Sequence, residues 1–363
     1  MLRRKDMILI GASARKTGKT AFACRIIARE SKVRDVVGLK ITPWPAGGHE
    51  ITAGEAERRT FQIIEESEPS PSNDTGRMLA AGARRAFRLL ADRERLAEGA
   101  AALLARVPER ACFVAEGNSA RRAVEPGLFI LLKDPRSEVK DSFRELASLA
   151  DRVAAGSGDG WDPGPEDCLF LDEAWMLKPR ASAVILAGGD SRRMGRDKSL
   201  LPIAGRPMIA RIADRLRGLF DDIVISGGRP DDYEFLGLEV VPDKIAGQGP
   251  LMGIASALER TKNDLSFVIA CDIPDFDRGL VARLADKAAG FDAVLPANAR
   301  GELEPVFAFY RKSIIAPARA LLDAGSRSIL DLLPRIRTRT VALPMGVEIR
   351  NINTREDYER RKS

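Results

Sequence analysis

Histidine is almost absent from this chain: its 363 residues contain one, His49. That scarcity argues against a histidine-built metal site or a histidine-dependent nucleophilic triad. Cysteine is scarce too. Cys24, Cys112, Cys168 and Cys271 lie far apart and form no CxxC pair, so neither a zinc cage nor a disulfide framework is indicated. They read as reduced thiols of a cytoplasmic protein. Aromatics make up 6% of the residues, and the basic excess is not gathered into runs. Both facts speak against a nucleic-acid surface. No stretch of about 18 uncharged apolar residues exists, so no membrane span is expected. The start, MLRRKDMILIG, is basic, but its apolar run is only Met7 to Ile10. That is too short for a secretory signal and reads as a first strand. No period of 20–50 residues is seen.

What is present is a globular composition, 45% hydrophobic and 30% charged. At roughly 100–200 residues per domain the length predicts two domains. The net charge of +6 is unevenly spread. Residues 1–150 carry 27 Lys and Arg against 20 Asp and Glu; residues 151–180 carry 3 against 7; residues 181–363 carry 28 against 25. The acidic middle includes AGSGDGWDPGPED, from Ala155 to Asp167, whose glycines and prolines sustain neither helix nor ladder. The expected division is therefore a first domain over 1–155, a linker over 156–180 and a second domain over 181–363.

Both halves open in the same way, with strand, glycine loop and helix. In the first, Asp6–Gly11 reads as a strand and Gly18–Glu30 as a helix. Val36–Ile41, Cys112–Ala115 and Leu128–Leu132 read as strands; Thr75–Leu90 and Arg93–Val107 read as helices. In the second half, strands are expected near Ala183–Leu186, Ile223–Ser226, Leu265–Ala270 and Ala293–Leu295. Helices are expected over Ile209–Leu219, Leu251–Glu259 and Leu280–Ala288. Short apolar strands alternating with helices imply α/β architecture: two doubly wound domains with mainly parallel sheets. Ligands of such sheets sit at the C-terminal ends of the strands.

Gly18-Lys19-Thr20 follows a strand and opens a helix, the setting of a phosphate-binding P-loop. Backbone N–H groups and the helix N-terminus attract phosphate, Lys19 reaches the β and γ phosphates, and the Thr20 hydroxyl suits Mg²⁺. The strict pattern wants glycine at position 13, where Ser13 stands. Glu116, at the end of Cys112-Phe-Val-Ala, is either an acidic partner for Mg²⁺ or an ordinary strand-end carboxylate. Lys40 and Asp74 are further candidates, and Asp74 reads equally as a helix N-cap. With its strands VVGLK and VAEG, this half resembles the GTP-binding adapter family of molybdopterin dinucleotide synthesis (MobB-like).

The second loop, Leu186 to Lys198, reads LAGGDSRRMGRDK. Its glycines leave backbone N–H groups free to wrap a triphosphate, and Arg192, Arg193 and Lys198 add positive charge. Such a loop suits nucleotidyl transfer, where charge must be neutralised on the transferring phosphate and on leaving pyrophosphate. The loop resembles the signature of the molybdenum cofactor guanylyltransferase (MobA-like) family. Supporting segments follow in order: Pro242-Asp243, Gln248 to Ile254, Ala270-Cys271-Asp272-Ile273-Pro274, Glu304-Pro305-Val306 and Asn351-Ile352-Asn353-Thr354.

The resemblance implies a Rossmann-like nucleotidyltransferase domain that transfers GMP from GTP to molybdopterin and releases pyrophosphate. Leu186, Ala187, Gly188, Gly189, Lys198 and Asp243 would bind GTP. Asp272 would bind Mg²⁺. Arg193, Lys198 and Asp272 would carry the chemistry, and Asn351 and Asn353 would lie on the molybdopterin side. Asp272 also stands on its own physics, since it follows an apolar strand and so lies at the sheet's C-terminal edge. The Asn-Ile-Asn-Thr run reads equally as a turn or a helix N-cap at Asn353 or Thr354. Small-molecule partners are GTP and molybdopterin; molybdoenzyme apoproteins or chaperones are candidate recipients of the product. Two other classes stay open: cytidylyl or other nucleotidyl transfer, and a regulatory GTP-binding protein without transfer activity.

Overall fold

Strand β1 (Leu2–Ala12) is buried on both faces from Asp6 onward, the pattern of a central strand covered on each side. Met7 and Leu9 enter one apolar cluster; Ile8, Ile10 and Ala12 enter another on the opposite face. The computed structural model describes residues 1–44, 61–108, 111–158, 160–187, 198–245, 247–352 and 355–360. The chain divides into two compact units, Met1–Leu177 and Lys178–Ser363.

The first unit contains β2 (Val36–Pro43), β3 (Phe61–Glu65), β4 (Arg85–Ala91), β5 (Cys112–Glu116), β6 (Val124–Lys133), β7 (Arg152–Ser157) and β8 (Gly160–Asp162). With β1 they form one sheet in the order β3-β4-β2-β5-β1-β6-β7-β8. The six inner strands are parallel, and only the edge strands β3 and β8 run the other way. Helix α1 (Lys19–Glu30) packs Phe22, Ala23, Ile26 and Ile27 onto one face; α2 (Asp74–Ala80) adds Met78 there. The other face takes Leu96, Ala100 and Leu103 of α3 (Leu96–Leu104), and Phe143 and Leu146 of α4 (Asp141–Ala147).

Two expectations need correction here. The helix read over Thr75–Leu90 is two elements, α2 and then β4. Gly82 (φ +105) ends the helix: its N–H donates to the Leu79 carbonyl, and the Ala83 N–H donates to the Met78 carbonyl. That Schellman arrangement requires a left-handed residue, which glycine adopts at low cost. The following RAFRLLA is apolar enough for either element, and burial on both faces makes it a strand.

The linker expected over 156–180 is also different. Residues up to Leu177 belong to the first unit: β7 and β8 form an antiparallel hairpin, and β9 (Cys168–Leu171) pairs with β10 (Ala174–Leu177). Gly156 (φ +150) permits the first turn, because a Cβ there would sit 2.0 Å from the Gly160 carbonyl oxygen. Trp161, Cys168, Phe170 and Trp175 anchor the segment in the α1-side core.

The second unit has β11 (Ser182–Leu186), a short hairpin β12 (Pro202–Ile203) and β13 (Arg206–Pro207), and α5 (Met208–Arg217). Then come β14 (Ile223–Ser226), β15 (Glu239–Val241), α6 (Gly249–Leu258), β16 (Leu265–Ala270) and α7 (Arg278–Asp286). The chain continues with β17 (Ala293–Ala297), β18 (Phe307–Arg311), α8 (Ile315–Asp323), α9 (Ile329–Leu332), β19 (Thr338–Ala342) and α10 (Arg355–Glu359). The main sheet runs β15-β14-β11-β16-β18-β17-β19, with β18 alone antiparallel to its neighbours. Val184, Val224 and Val268 face α6 and α8, while Phe267 meets Phe220, Phe276, Phe307 and Phe309 on the other side. Each unit is thus an α/β sheet covered on both faces. No helix among the described residues is long and apolar enough to cross a membrane.

Asp292 ties the far side of this sheet together. Its carboxylate accepts from the Ser313 hydroxyl at 2.8 Å and from the Arg337 backbone N–H, Nε and Nη2 at 3.0 Å each. The Arg337 bonds hold its carboxyl well below the usual carboxylate range, against a smaller opposing effect of burial. A depressed folded-state pKa adds stability above the unfolded value of about 3.9, and that stability fades as pH falls through it. Asp292→Asn is therefore expected to lower the unfolding midpoint in denaturant at pH 7. The gap to the parent should shrink at pH 3; an unchanged gap would contradict the assignment.

Candidate functional site

In the second unit, β11, β14, β15 and β16 are parallel, so their C-terminal ends lie along one edge. That register gathers Leu186, Ala187, Ser226, Asp243 and Asp272 from distant points in the sequence. Backbone bonds fix the edge: the Ala187 N–H donates to Ser226 O (2.9 Å) and the Cys271 N–H to Leu186 O (3.0 Å). Lys198 opens a single turn, and its ammonium donates to Asp272 Oδ2 at 3.0 Å. The two side chains are about one-fifth exposed (20% and 21%), open to a ligand yet partly desolvated. The other oxygen, Asp272 Oδ1, is buried without a hydrogen-bond partner. The Ile352 N–H donates to the Asp272 carbonyl at 2.8 Å, which brings Asn351 to the same edge. Asn351 Oδ1 is likewise buried and unpaired.

Beside this pair lies a second polar hollow. Ser226 Oγ and Asp243 Oδ1 are both buried without partners. A Cβ on Gly253 of α6 would come within 2.8 Å of the first and 3.4 Å of the second, so glycine keeps the helix close without filling the space. Burial pushes the Asp243 carboxyl up. Glu304, just before β18, is also pushed up, by burial first and then by the charges of Glu302 and Asp272. Nothing in the sequence marks Ser226; only the end-to-end register of β14 and β11 reveals it.

The structure brings Leu186, Ala187, Lys198, Asp243, Asp272 and Asn351 to one sheet edge. Gly188, Gly189, Arg193 and Asn353 lie outside the described residues. The donor set bears on a divalent cation. Among the described residues no group of three or more His, Cys, Asp and Glu side chains could hold a metal by itself. A single carboxylate with a free oxygen matches the way Mg²⁺ is held, by one or two carboxylates with phosphate oxygens completing the shell.

In the first unit, Gly18 has φ +100, which favours glycine, and Lys19 and Thr20 form the first turn of α1. The Thr20 hydroxyl lies 2.9 Å from Glu116 Oε2 and 3.0 Å from Asp74 Oδ1. Lys40 Nζ bridges the same carboxylates, 2.5 Å from Glu116 Oε1 and 2.7 Å from Asp74 Oδ2. Glu116 is fully buried, and burial raises its pKa. The N-cap of α2 is Asn73, which accepts from the Gly76 N–H at 2.6 Å; Asp74 instead faces Lys40, Thr20 and Arg77. Lys19 is pulled down by burial, and the charges of Lys40 and Lys140 add to the effect. Lys16 to Ala21, Lys40, Asp74 and Arg77 line a cavity of about 380 Å³. Gly18, Lys19 and Thr20 thus stand together at the start of α1, with Glu116 bonded to the Thr20 hydroxyl.

The second unit is a Rossmann-like sheet of the nucleotidyltransferase class, with the Lys198–Asp272 pair at its C-terminal edge. The family model described as "MobA-like NTP transferase domain" matches residues 183–339. Through its second unit the chain belongs to that family.

A "Probable molybdenum cofactor guanylyltransferase" of Pelotomaculum thermopropionicum is 37% identical over 185 residues, covering 49% of this chain and 90% of the relative. A "Molybdenum cofactor guanylyltransferase" of Syntrophotalea carbinolica is 33% identical over 187 residues, covering 49% and 89%. A solved structure of molybdopterin-guanine dinucleotide biosynthesis protein A from Archaeoglobus fulgidus aligns with a TM-score of 0.44 at 24% identity, covering 50% of this chain and 96% of that one.

Proposed function

We propose that the chain is a molybdenum cofactor guanylyltransferase joined to a nucleotide-binding P-loop unit. The observation that carries the reading is the Lys198 ammonium on one oxygen of Asp272 while the other oxygen stays buried and unpaired. A phosphate oxygen of molybdopterin attacks the α-phosphorus of GTP. The bond from that phosphorus to the bridging oxygen breaks, and pyrophosphate leaves as the guanine dinucleotide forms.

Leu186, Ala187, Gly188 and Gly189 hold the triphosphate, and Asp243 contributes to the same nucleotide site. Lys198 and Arg193 neutralise charge that builds on the transferring phosphate. Asp272 is the residue that would hold Mg²⁺, which when bound neutralises and aligns phosphate oxygens. Asn351 and Asn353 offer amides to the pterin. Positioning and electrostatics suffice, and no covalent enzyme intermediate is required.

The first unit, in this reading, binds GTP at Gly18, Lys19, Thr20 and Glu116 as a MobB-like adapter. Tethering places a second nucleotide site at high effective concentration. Four cysteines free of disulfides fit a cytoplasmic setting, with molybdoenzyme apoproteins or chaperones receiving the product. Nucleotide choice is tested by competition. The full chain with molybdopterin, Mg²⁺ and equimolar GTP and CTP should yield the guanine dinucleotide in excess by mass spectrometry. A predominantly cytosine product would overturn the guanylyl assignment.

A further inference from the structure

A second cavity of about 350 Å³ lies in the first unit against the one formed by the glycine loop, and shares Lys19 and Lys40 with it. Its charge is one-sided. Lys40 is neutralised by Glu116 and Asp74, and Arg122 pairs with Glu145 at 2.6 Å. Arg15, Lys19, Arg93 and Lys140 line the same space without an ion-pair partner among the described residues. Cations so crowded favour a multivalent anion.

The remaining walls differ from those of a bare anion trap. Ile41, Pro43 and Leu96 give an apolar side. Thr42 Oγ1 and Ser119 Oγ, both lining residues, are buried without hydrogen-bond partners. Buried hydroxyls are ordinarily paired, so two unpaired ones on residues that line a single cavity mark hydrogen-bonding capacity in its wall that a ligand's polar groups could complete. Gly117 (φ +139) lets the end of β5 lie close against β2, because a Cβ there would meet the Ile41 carbonyl oxygen at 2.0 Å.

We infer that this cavity binds a small organic phosphomonoester, its dianionic head among Arg15, Arg93 and Lys140 and its compact body against the apolar wall. The ligand is distinct from a nucleotide on the glycine loop. Only its placement beside such a nucleotide rests on the P-loop reading above; the cations and orphaned hydroxyls do not depend on it.

The test is equilibrium dialysis of the full chain with pyridoxine 5′-phosphate, a planar fluorescent phosphomonoester, alongside pyridoxine and inorganic phosphate. Saturable binding at one site per chain is expected. Inorganic phosphate should bind at least roughly tenfold more weakly, and pyridoxine should not bind. Arg93→Met with Lys140→Met should weaken pyridoxine 5′-phosphate at least roughly tenfold, with the parent's circular dichroism spectrum retained. Thr42→Val with Ser119→Ala should narrow the gap between the organic and inorganic phosphates.

Three results would overturn the proposal: no saturable binding, binding unchanged in the Arg93 and Lys140 variant, or complete displacement by GTP. Displacement would assign the cavity to the nucleotide. If pyridoxine 5′-phosphate binds while GTP shows no affinity for the glycine loop, the P-loop reading fails and the cavity assignment stands.

Discussion

Asp272→Asn is expected to lower the rate of pyrophosphate release roughly 10²–10³-fold, the scale seen when one preorganised electrostatic contact to a transition state is removed. The substitution keeps the shape of the side chain and the Ile352 N–H bond to its carbonyl, so folding should be unaffected. It removes the charge that pairs with Lys198 at 3.0 Å and the free oxygen suited to a cation. The loss should fall mainly on kcat, with GTP binding weakened less, because the charge it balances builds during transfer. A protein that only senses nucleotide would show a binding change and no turnover to lose. Steady-state pyrophosphate release at several Mg²⁺ concentrations reads the difference. A variant within about twofold of the parent would remove Asp272 from the chemistry.

The largest expected effect on stability is at Lys40. Its ammonium is the countercharge for Glu116, a carboxylate with no solvent exposure, and it also holds Asp74. Removing one partner of a buried ion pair costs about 3–5 kcal/mol, because the other charge is left uncompensated. Lys40→Met should therefore destabilise the first unit by that order. Adding Glu116→Gln to it should restore most of the loss, since the double variant no longer buries a net charge. The measurement has a built-in reporter. Trp44, Trp161 and Trp175 are the chain's three tryptophans, and all belong to the first unit. Tryptophan fluorescence in a guanidinium titration thus follows that unit without interference from the other. Additive losses in the double variant would show that Lys40 and Glu116 are not coupled.

Much of the fold was legible because burial on both faces writes continuous apolar runs. Met7–Ile10, Val184–Leu186 and Phe267–Ile269 could hardly be anything but central strands, and they are. The misreadings share a physical cause. Arg85–Ala91 satisfies helical and extended patterns alike, and only the left-handed Gly82 and the room beside β2 decide it. The glycines and prolines of 156–165 break helices, and that property also makes tight hairpins. Composition reported the breaking and not the pairing.

The site was legible in part. Strand-end positions place Asp272 and Glu116 at sheet edges, and a glycine loop announces itself. What no single segment carries is pairing between segments. Lys40 reaching Glu116 and Asp74 depends on β2 lying beside β5 and on α2 crossing nearby. Ser226, and the unpaired hydroxyls of Thr42 and Ser119, emerge only when burial is known atom by atom. The absence of a partner is a property of the fold and leaves no mark on the residue.

The most direct test of the account is product analysis of the full chain incubated with molybdopterin, GTP and Mg²⁺. Pyrophosphate and molybdopterin guanine dinucleotide should appear in equal amounts, and neither should form when molybdopterin is omitted. Release of orthophosphate alone, with no dinucleotide and no pyrophosphate, would contradict nucleotidyl transfer and leave the chain a GTP-hydrolysing or GTP-sensing protein.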